Sequence, residues 1–266
     1  FYNKTKLYEN IKIFNNQIYD SIISFDSIAI SISHNLNSKK FFSIIGDPVG
    51  KRFFYSYGLF KNKFRNLILS ILIDYLEKKY FKKICLNHSI GMYGAWHAKE
   101  WSKAFNKKII DLRPIHFTEK FDKNRKENSD KIKFIFGGSL NSTASQMSIK
   151  VLDKVVYKNL KSILKDNFEL KLIGANDLEN HELLNKDNVV NMGYVKNFEE
   201  ECYYSDIFLL PGNYPVGVRT RIMTALSSGC ICIAHSSVLK NMPELKELTN
   251  FYNYNNLNEF KKIIPE

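Results

Sequence analysis

The loop that follows residues 131–136 carries the residue types that bind phosphate. It reads Phe136-Gly137-Gly138-Ser139-Leu140-Asn141-Ser142-Thr143, so a predicted strand ends in two glycines and a helix begins at Ser142 or Thr143. Glycines let the backbone approach a phosphate closely, and the N–H groups and dipole at a helix start favour an anion. A glycine turn followed by an ordinary Ser or Thr N-cap has the same sequence, so this loop alone leaves both interpretations open.

A second candidate site combines arginine with a helix start. Only six of the 39 basic residues are arginines, and two of them, Arg219 and Arg221, flank Thr220 just after the Pro/Gly loop 211–217. The planar guanidinium fork suits phosphate oxygens, which predicts a site for a pyrophosphate group. The alternative is a solvated pair of surface charges, which is disfavoured because cations oppose the dipole at a helix N-terminus.

Other reactive constellations lack the spacing that their chemistry needs. The segment Gly46 to Arg52 superficially resembles a P-loop, but it has three residues between its glycines instead of four, and Arg52 replaces the Ser or Thr that would hold Mg²⁺. No HxxxH, HExxH or GxSxG pattern occurs, so neither a zinc site nor a hydrolase nucleophile is predicted. The four cysteines lack CxxC spacing and sit in apolar stretches, which favours reduced, buried thiols.

Short apolar runs that end in turn residues predict the strands that must position these loops. They cover residues 27–33, 41–45, 83–86, 108–112, 131–136, 169–173, 189–192, 207–210 and 230–234. Helical periodicity predicts a helix with one apolar face from Phe60 to Tyr75 and another helix over about residues 142–165. Alternation of helices with nearly continuous apolar strands implies an α/β fold with parallel sheets covered on both faces.

The charge distribution divides the chain. Residues 1–125 contain 22 basic and 10 acidic side chains, whereas residues 126–266 contain 17 of each. The change coincides with a polar segment, residues 114–130, which predicts a linker. A length of 266 residues fits two domains, which we place at residues 1–120 and 121–266. The longest aliphatic run is far shorter than the roughly 20 residues of a membrane-spanning helix.

Four segments follow one another in the second half. They read Lys-Leu-Ile-Gly at 171–174, Asn-Met-Gly-Tyr-Val at 191–195, Tyr-Tyr-Ser-Asp-Ile-Phe-Leu-Leu-Pro at 203–211, and a Gly, a basic helix start and a closing Gly over 217–229. In this order they resemble the donor domain of GT-B glycosyltransferases, most closely the retaining enzymes of glycosyl transferases group 1. The resemblance covers residues 131–250, and the first half matches only in outline. It implies two Rossmann-like α/β domains that face each other across a cleft. Such enzymes are usually longer, so the first strand of domain one and the last crossover helix are expected to lie outside this chain.

The resemblance implies transfer of a sugar from a nucleotide-diphosphate sugar to a glycan or lipid-linked acceptor, with retention of configuration and without a metal ion or cofactor. The first domain would hold the acceptor and the second the donor. The donor contacts carried over from the motif positions are Gly137, Gly138, Ser139, Asn141, Gly193, Tyr194, Val195, Gly217, Thr220 and Thr224.

The catalytic candidates implied by the same resemblance are His88, His97, Arg219 and Arg221. Either histidine would contact the donor sugar from the first domain, although each one alone is better explained as a satisfied loop or core histidine. The arginines would stabilise the departing nucleoside diphosphate. Thr224 departs from the family, because many members have a Glu there that holds the ribose hydroxyls, and one hydroxyl cannot bind a diol bidentately.

The basic first half suggests the class of partner. It suits an anionic glycan, a phospholipid-linked carrier or peripheral contact with an anionic membrane. No nucleic acid is expected, because RNP aromatics and a helix-turn-helix signal are missing. Two alternatives stay open: a GT-B sugar-nucleotide epimerase and a non-enzymatic, basic nucleic-acid-binding protein. We expect a cytoplasmic protein, at or near the inner face of the cytoplasmic membrane, that acts in polysaccharide biosynthesis.

Overall fold

The computed structural model describes residue 14 and residues 17–59, 62–114, 130–139, 142–174 and 182–264. Contacts between Cα atoms divide the chain into two units, Phe1–Arg113 and Pro114–Glu266. The predicted junction between residues 120 and 121 lies outside the described residues. Within the described part of the chain, no helix is both long and apolar enough to cross a bilayer.

Parallel strands form the centre of the first unit. Two short strands, β1 (Ile18–Tyr19) and β3 (Asn37–Ser38), pair with each other in parallel. The main sheet has four parallel strands in the spatial order β2 (Ile22–Phe25), β4 (Phe41–Ile45), β5 (Ser89–Tyr93) and β6 (Ile109–Leu112). Crossover helices are required between parallel neighbours, which explains why each sheet strand in this unit is followed by a helix until β6.

The helices of the described part of the first unit are α1 (Asp26–Ser33), α2 (Val49–Ser56), α3 (Lys63–Ile84) and α4 (Ala95–Phe105). A 3₁₀ turn, Tyr57–Leu59, extends α2. The core is formed where α4 buries Trp101 and Phe105 with Ile90 and Met92 of the central strand β5. Those side chains are apolar at helical and strand spacing respectively, so burial of both elements follows from their sequences.

Two predicted strands of this half are wrong. Residues 27–33 alternate isoleucine with serine or alanine as a strand could, yet they lie in helix α1. In this helix the serine hydroxyls do not compete for the backbone hydrogen bonds of the helix. Ser31 Oγ donates to the carbonyl of Ser27 at 2.7 Å, and Ser33 bonds to Ser24 of β2. Residues 83–86 are the end of α3 and the turn after it. The strand instead starts at Ser89.

The second unit contains one sheet of six parallel strands. The strands are β7 (Ile132–Gly137), β8 (Phe168–Ile173), β9 (Val189–Gly193), β10 (Ile207–Leu210), β11 (Ile231–His235) and β12 (Phe251–Tyr254). Their spatial order is β12-β11-β10-β7-β8-β9. Chain order therefore reverses direction between β7 and β10, which is the arrangement of a doubly wound Rossmann-like domain with its switch point at those two strands.

Helices cover both faces of this sheet, so two hydrophobic clusters form, one on each side. The described helices are α5 (Thr143–Val151), α6 (Tyr157–Leu164), α7 (Phe198–Tyr203), α8 (Thr220–Ser227) and α9 (Leu257–Ile263). A π-helical turn, Leu152–Val156, joins α5 to α6, so the predicted helix over about residues 142–165 is confirmed with an irregular centre. The strands predicted in this half are confirmed, while β12 was missed.

All four cysteines are buried thiols without a disulfide. Cys202, Cys230 and Cys232 belong to one hydrophobic cluster of the second unit. Burial raises the pKa of the Cys85 thiol to about 11, so this thiol stays protonated at neutral pH. The prediction of reduced core thiols is confirmed.

Candidate functional site

The candidate site of the second unit lies at the carboxyl ends of β7, β8 and β10. In open parallel sheets, ligands bind outside these ends, at the point where the strand order reverses. Both loops predicted to bind phosphate start there: Gly138 follows β7, and the Pro/Gly loop that leads to Arg219 follows β10. Two neighbouring cavities open at this edge.

The larger cavity has a volume of about 330 Å³. The carboxyl ends of β7 and β8, the segment after β9 and the start of α7 and α8 contribute its wall. Its lining residues are Gly138, Ser139, Ile173, Gly174, Tyr194, Val195, Phe198 and Arg221. Most of this wall is apolar apart from the guanidinium, so the cavity suits a flat, partly apolar group that lies next to an anion.

The smaller cavity, of about 80 Å³, sits at the switch point itself. It lies between the glycine loop and the first turn of α8, and its lining residues are Phe136, Gly137, Ser142, Ala144, Ser145, Phe208, Leu210, Val218, Arg219, Thr220, Arg221 and Ile222. Arg221 lines both cavities. One arginine therefore joins an apolar space to a small polar space bounded by two helix starts.

Close approach explains the two glycines of the first loop. A Cβ added at Gly138 would lie 2.7 Å from Arg221 Nη1, and one at Gly137 would lie 2.4 Å from Phe198 Cε2. Both distances are shorter than ordinary contacts between carbon and its neighbours, so a side chain at either position would force a displacement. The glycines thus allow the guanidinium and the aromatic ring to pack directly on the backbone.

The helix start after the glycine loop is capped as predicted. Ser142 is the N-cap of α5, and its Oγ accepts the N–H of Ser145 at 3.2 Å. A first helical turn leaves N–H groups without intrahelical partners, and Ala144 of that turn lines the smaller cavity. The positive end of the α5 dipole therefore points at the same space as Arg221.

The two arginines have different surroundings. Arg219 Nη2 donates to the carbonyl of Tyr214 at 2.9 Å, and its guanidinium lies 5.0 Å from the centre of the Tyr214 ring. Arg219 thus braces the loop before α8. Loss of hydration against the protein lowers the pKa of Arg221, and among the described residues no ion pair offsets that loss. A guanidinium remains protonated at neutral pH, so Arg221 is a partly desolvated cation directed at both cavities.

The structure brings together eight of the predicted site residues. The residues that line the two cavities are Gly137, Gly138, Ser139, Tyr194, Val195, Arg219, Thr220 and Arg221. Gly193 ends β9 directly before Tyr194. Gly217 and Thr224 line neither cavity, and Thr224 Oγ1 lies 3.5 Å from the carbonyl of Thr220, one turn earlier on α8. Asn141 lies outside the described residues.

Both candidate histidines are buried in the first unit. His88 precedes β5 and therefore lies at the amino end of the strand, opposite to the edge where ligands bind. It is buried, bonds to Ser43 Oγ at 2.7 Å and stacks on Phe41. His97 has no exposed surface, and burial lowers its pKa to about 4. His88 is therefore away from the edge where ligands bind, and the burial of His97 favours the alternative of a core histidine.

Three residues of the larger cavity escaped the sequence argument. Ile173 and Gly174 end the β8 motif and were noted only as part of the family pattern. A strand followed by glycine is the same signal that identified the first loop, so Gly174 was open to prediction. Phe198 starts α7 far from either loop in sequence, and no local pattern marks it. In the described parts of both units, no group of His, Cys, Asp or Glu is arranged to hold a metal ion.

Comparison with known proteins places the second unit among sugar-transferring enzymes by similarity. Residues 131–259 match the family described as glycosyl transferases group 1. The match lies within the second unit, which is therefore similar to a glycosyl transferases group 1 domain. No curated protein sequence matches the chain.

Solved structures extend the comparison to both units. Pneumococcal O-GlcNAc transferase GtfA, solved with UDP and GlcNAc, is 13% identical with a TM-score of 0.58, over 88% of this chain and 46% of that chain. A mutant of S. aureus TarM, solved with fondaparinux, alpha-GlcNAc-glycerol and UDP, is 13% identical with a TM-score of 0.66, over 96% and 50%. A glycosyltransferase from Rickettsia africae ESF-5 is 14% identical with a TM-score of 0.64, over 98% and 69%.

At such identities the similarity establishes the fold. The neighbours are GT-B glycosyltransferases built from Rossmann-like domains, so the predicted α/β class with parallel sheets and the family resemblance are confirmed. The chain spans about half the length of GtfA and of TarM.

Proposed function

We propose that the protein transfers a sugar from a nucleoside-diphosphate sugar to a glycan or lipid-linked acceptor. The observation that carries the proposal is the position of Arg221, which packs on Gly138 and lines both cavities at the strand switch point. The family match favours transfer over sugar-nucleotide epimerisation and over nucleic-acid binding.

In this proposal the base and ribose occupy the larger cavity, next to Tyr194 and Val195. The pyrophosphate occupies the smaller cavity between Arg221 and the start of α5. A mostly apolar wall suits the base, and a cation with a helix dipole suits the phosphates. The donor sugar then extends from the edge of the sheet toward solvent.

The chemistry follows from this placement. When the glycosidic bond to the nucleotide breaks, negative charge grows on the departing phosphate oxygen. A preorganised cation that is already partly desolvated stabilises this charge with little reorganisation, which is electrostatic catalysis of leaving-group departure. We propose that Arg221 and the α5 dipole supply this stabilisation without a metal ion, and that the anomeric configuration is retained.

The first unit offers a place for the acceptor. A cavity of about 370 Å³ lies at the carboxyl ends of β2, β4 and β5, and Asp26, Asp47 and Arg52 are among its lining residues. Carboxylates accept hydrogen bonds from sugar hydroxyls, and an arginine pairs with an anionic substituent. Residues 1–113 carry 19 basic and 8 acidic side chains, which would attract an anionic acceptor or an anionic membrane surface. We therefore propose that the protein works at the cytoplasmic face of a membrane.

Release of nucleoside diphosphate from a panel of nucleotide sugars, with mixed glycan and lipid-linked acceptors, tests the proposal. We expect release from at least one donor, and a fall of about 10²- to 10³-fold in turnover for Arg221→Ala, the cost of removing one preorganised donor. Lys150→Ala, which removes an exposed cation of α5, is the matched control. Equal turnover for both variants would show that Arg221 does not act in transfer.

A further inference from the structure

Helix α3 of the first unit exposes its apolar side. Phe64, Ile68, Ile71, Leu72 and Tyr75 recur at helical spacing, and between 48% and 77% of each residue's surface is exposed. The sequence predicts a helix with one apolar face here, and such a face ordinarily packs on the core. Large apolar side chains on one continuous face are uncommon on the surface of a protein without a partner.

The opposite side of α3 is polar and packed inside. Lys78 pairs with Asp74 at 2.8 Å and with Glu100 of α4 at 2.5 Å. The carboxylate of Glu77 accepts the first two backbone N–H groups of α2 at 3.0 and 3.1 Å. Charged side chains are rarely buried unless paired, so these contacts specify which side of α3 faces the protein.

Backbone contact fixes the same orientation. A Cβ added at Gly50 of α2 would lie 2.4 Å from the Cα of Asp74 on α3. The two helix backbones therefore touch on the polar side of α3. A rotation of α3 that buried Ile68 and Leu72 would break this contact and the ion pairs, so the outward apolar face is built into the packing.

The exposed surface continues beyond one helix. A groove of about 390 Å³ runs between α1 and α3 and is lined mainly by apolar atoms, including those of Ile73, Leu76 and Tyr80. Ile28 of α1 is also largely exposed. The patch is therefore wider than one helical stripe.

Basic residues border the apolar stripe. Lys79, Lys82 and Lys83 are exposed on the same side of α3, just after Tyr75, and Arg65 is exposed near its start. Lys79 Nζ lies 6.0 Å from the centre of the Tyr75 ring. An apolar face bordered by Lys and Arg is typical of helices that lie in the interface of an anionic membrane, where lysine stems pack along apolar surface and their charged ends reach the phosphates.

We propose that the exposed face of α3 docks the first unit on an anionic lipid surface, with Phe64, Ile68 and Leu72 inserted between the headgroups. Charge decides between a membrane and a second copy of the chain. Two copies that met through α3 would place clusters of like charge against each other, which is unfavourable, whereas anionic lipid neutralises the lysines. The docking needs no nucleotide, so it stands or falls independently of the proposed transferase function.

Co-flotation of the full chain with vesicles tests the proposal. We expect binding to vesicles of phosphatidylcholine with phosphatidylglycerol, and much weaker binding to phosphatidylcholine alone. Each lysine near an anionic surface strengthens binding roughly fivefold, so the double variant Lys79→Gln with Lys83→Gln is expected to lose roughly 25-fold. The double variant Ile68→Gln with Leu72→Gln is expected to lose roughly 100-fold in vesicle affinity, because it removes two apolar side chains that the lipid would bury.

Matched variants in the second unit serve as controls. Leu248→Gln with Tyr252→Gln changes two exposed apolar residues, and Lys246→Gln with Lys261→Gln changes two exposed lysines. Neither pair is expected to change vesicle binding, and all variants are expected to keep the far-ultraviolet circular dichroism of the unsubstituted protein. The proposal is overturned if neutral and anionic vesicles bind equally, if the α3 and control variants behave alike, or if light scattering shows a dimer that the Ile68 and Leu72 variant converts to monomer.

Discussion

Arg219 and Arg221 should respond to alanine substitution in opposite ways. Arg219 braces its loop through a 2.9 Å hydrogen bond to the Tyr214 carbonyl and by stacking on the Tyr214 ring. A hydrogen bond from a charged donor contributes about 1.5–3 kcal/mol, and an exposed cation–π contact about 0.5–1 kcal/mol. Because Arg219 is only partly buried, we expect Arg219→Ala to lower the free energy of unfolding by about 2 kcal/mol.

Arg221→Ala should not destabilise the protein. The arginine sits in the first turn of α8, where a cation opposes the helix dipole, so its removal should raise the free energy of unfolding by up to about 1 kcal/mol. Nucleoside-diphosphate affinity should fall by about 1.5–3 kcal/mol, or roughly 10- to 100-fold in Kd, because one charged contact to phosphate is lost. Arg221→Lys should recover part of the affinity, since the charge remains but the planar fork does not.

Denaturant unfolding and calorimetric titration of the same two variants separate these effects. We expect only Arg219→Ala to lower the free energy of unfolding. We expect Arg221→Ala to lose the most nucleoside-diphosphate affinity for its change in the free energy of unfolding. The reasoning is refuted if Arg221→Ala is destabilised by about 2 kcal/mol or more, the loss expected from a bracing contact, while its nucleotide affinity is unchanged.

Two further predictions concern Gly138 and His97. Gly138→Ala should weaken nucleoside-diphosphate binding at least about tenfold in calorimetry, because its Cβ would displace the Arg221 guanidinium. Gly58→Ala, which has open space around it, should have no effect. Equal affinities for the two variants would exclude the close contact at Gly138. His97 has its pKa lowered to about 4 in the folded state, against about 6.5 when unfolded, so protonation of the unfolded chain removes stability as pH falls through this window. This loss in the free energy of unfolding, about 3 kcal/mol between pH 7 and pH 4, should disappear in His97→Gln. If the free energy of unfolding of His97→Gln keeps the same dependence on pH, the prediction is contradicted.

The sequence predicted the second unit well because its elements carry strong local signals. Strand β10 is a continuous apolar run that ends just before Pro211, and the rare arginines mark the start of helix α8 after that loop. These local signals predict the folded structure correctly because buried parallel strands and helix starts accept only a narrow range of residue types.

The first unit was harder to predict, since tertiary contacts override its local patterns. Alternating Ser and Ile in α1 satisfy a strand or a helix equally, and only the bonds of Ser31 and Ser33 within the folded unit decide. Periodicity identified α3, yet its apolar stripe does not face the core, because Asp74, Lys78 and the contact at Gly50 turn the polar side inward. His88 was misplaced for a related reason: a strand shifted by a few residues moved it from one end of the sheet to the other.

Calorimetric titration with nucleoside diphosphates and the matching nucleosides tests the central claim most directly. If the pyrophosphate binds between Arg221 and the start of α5, one diphosphate should bind the unsubstituted protein at least about tenfold more tightly than its nucleoside, and Arg221→Ala should remove most of that difference. Equal affinities for diphosphate and nucleoside, or no binding of any nucleoside diphosphate, would contradict the donor-site assignment.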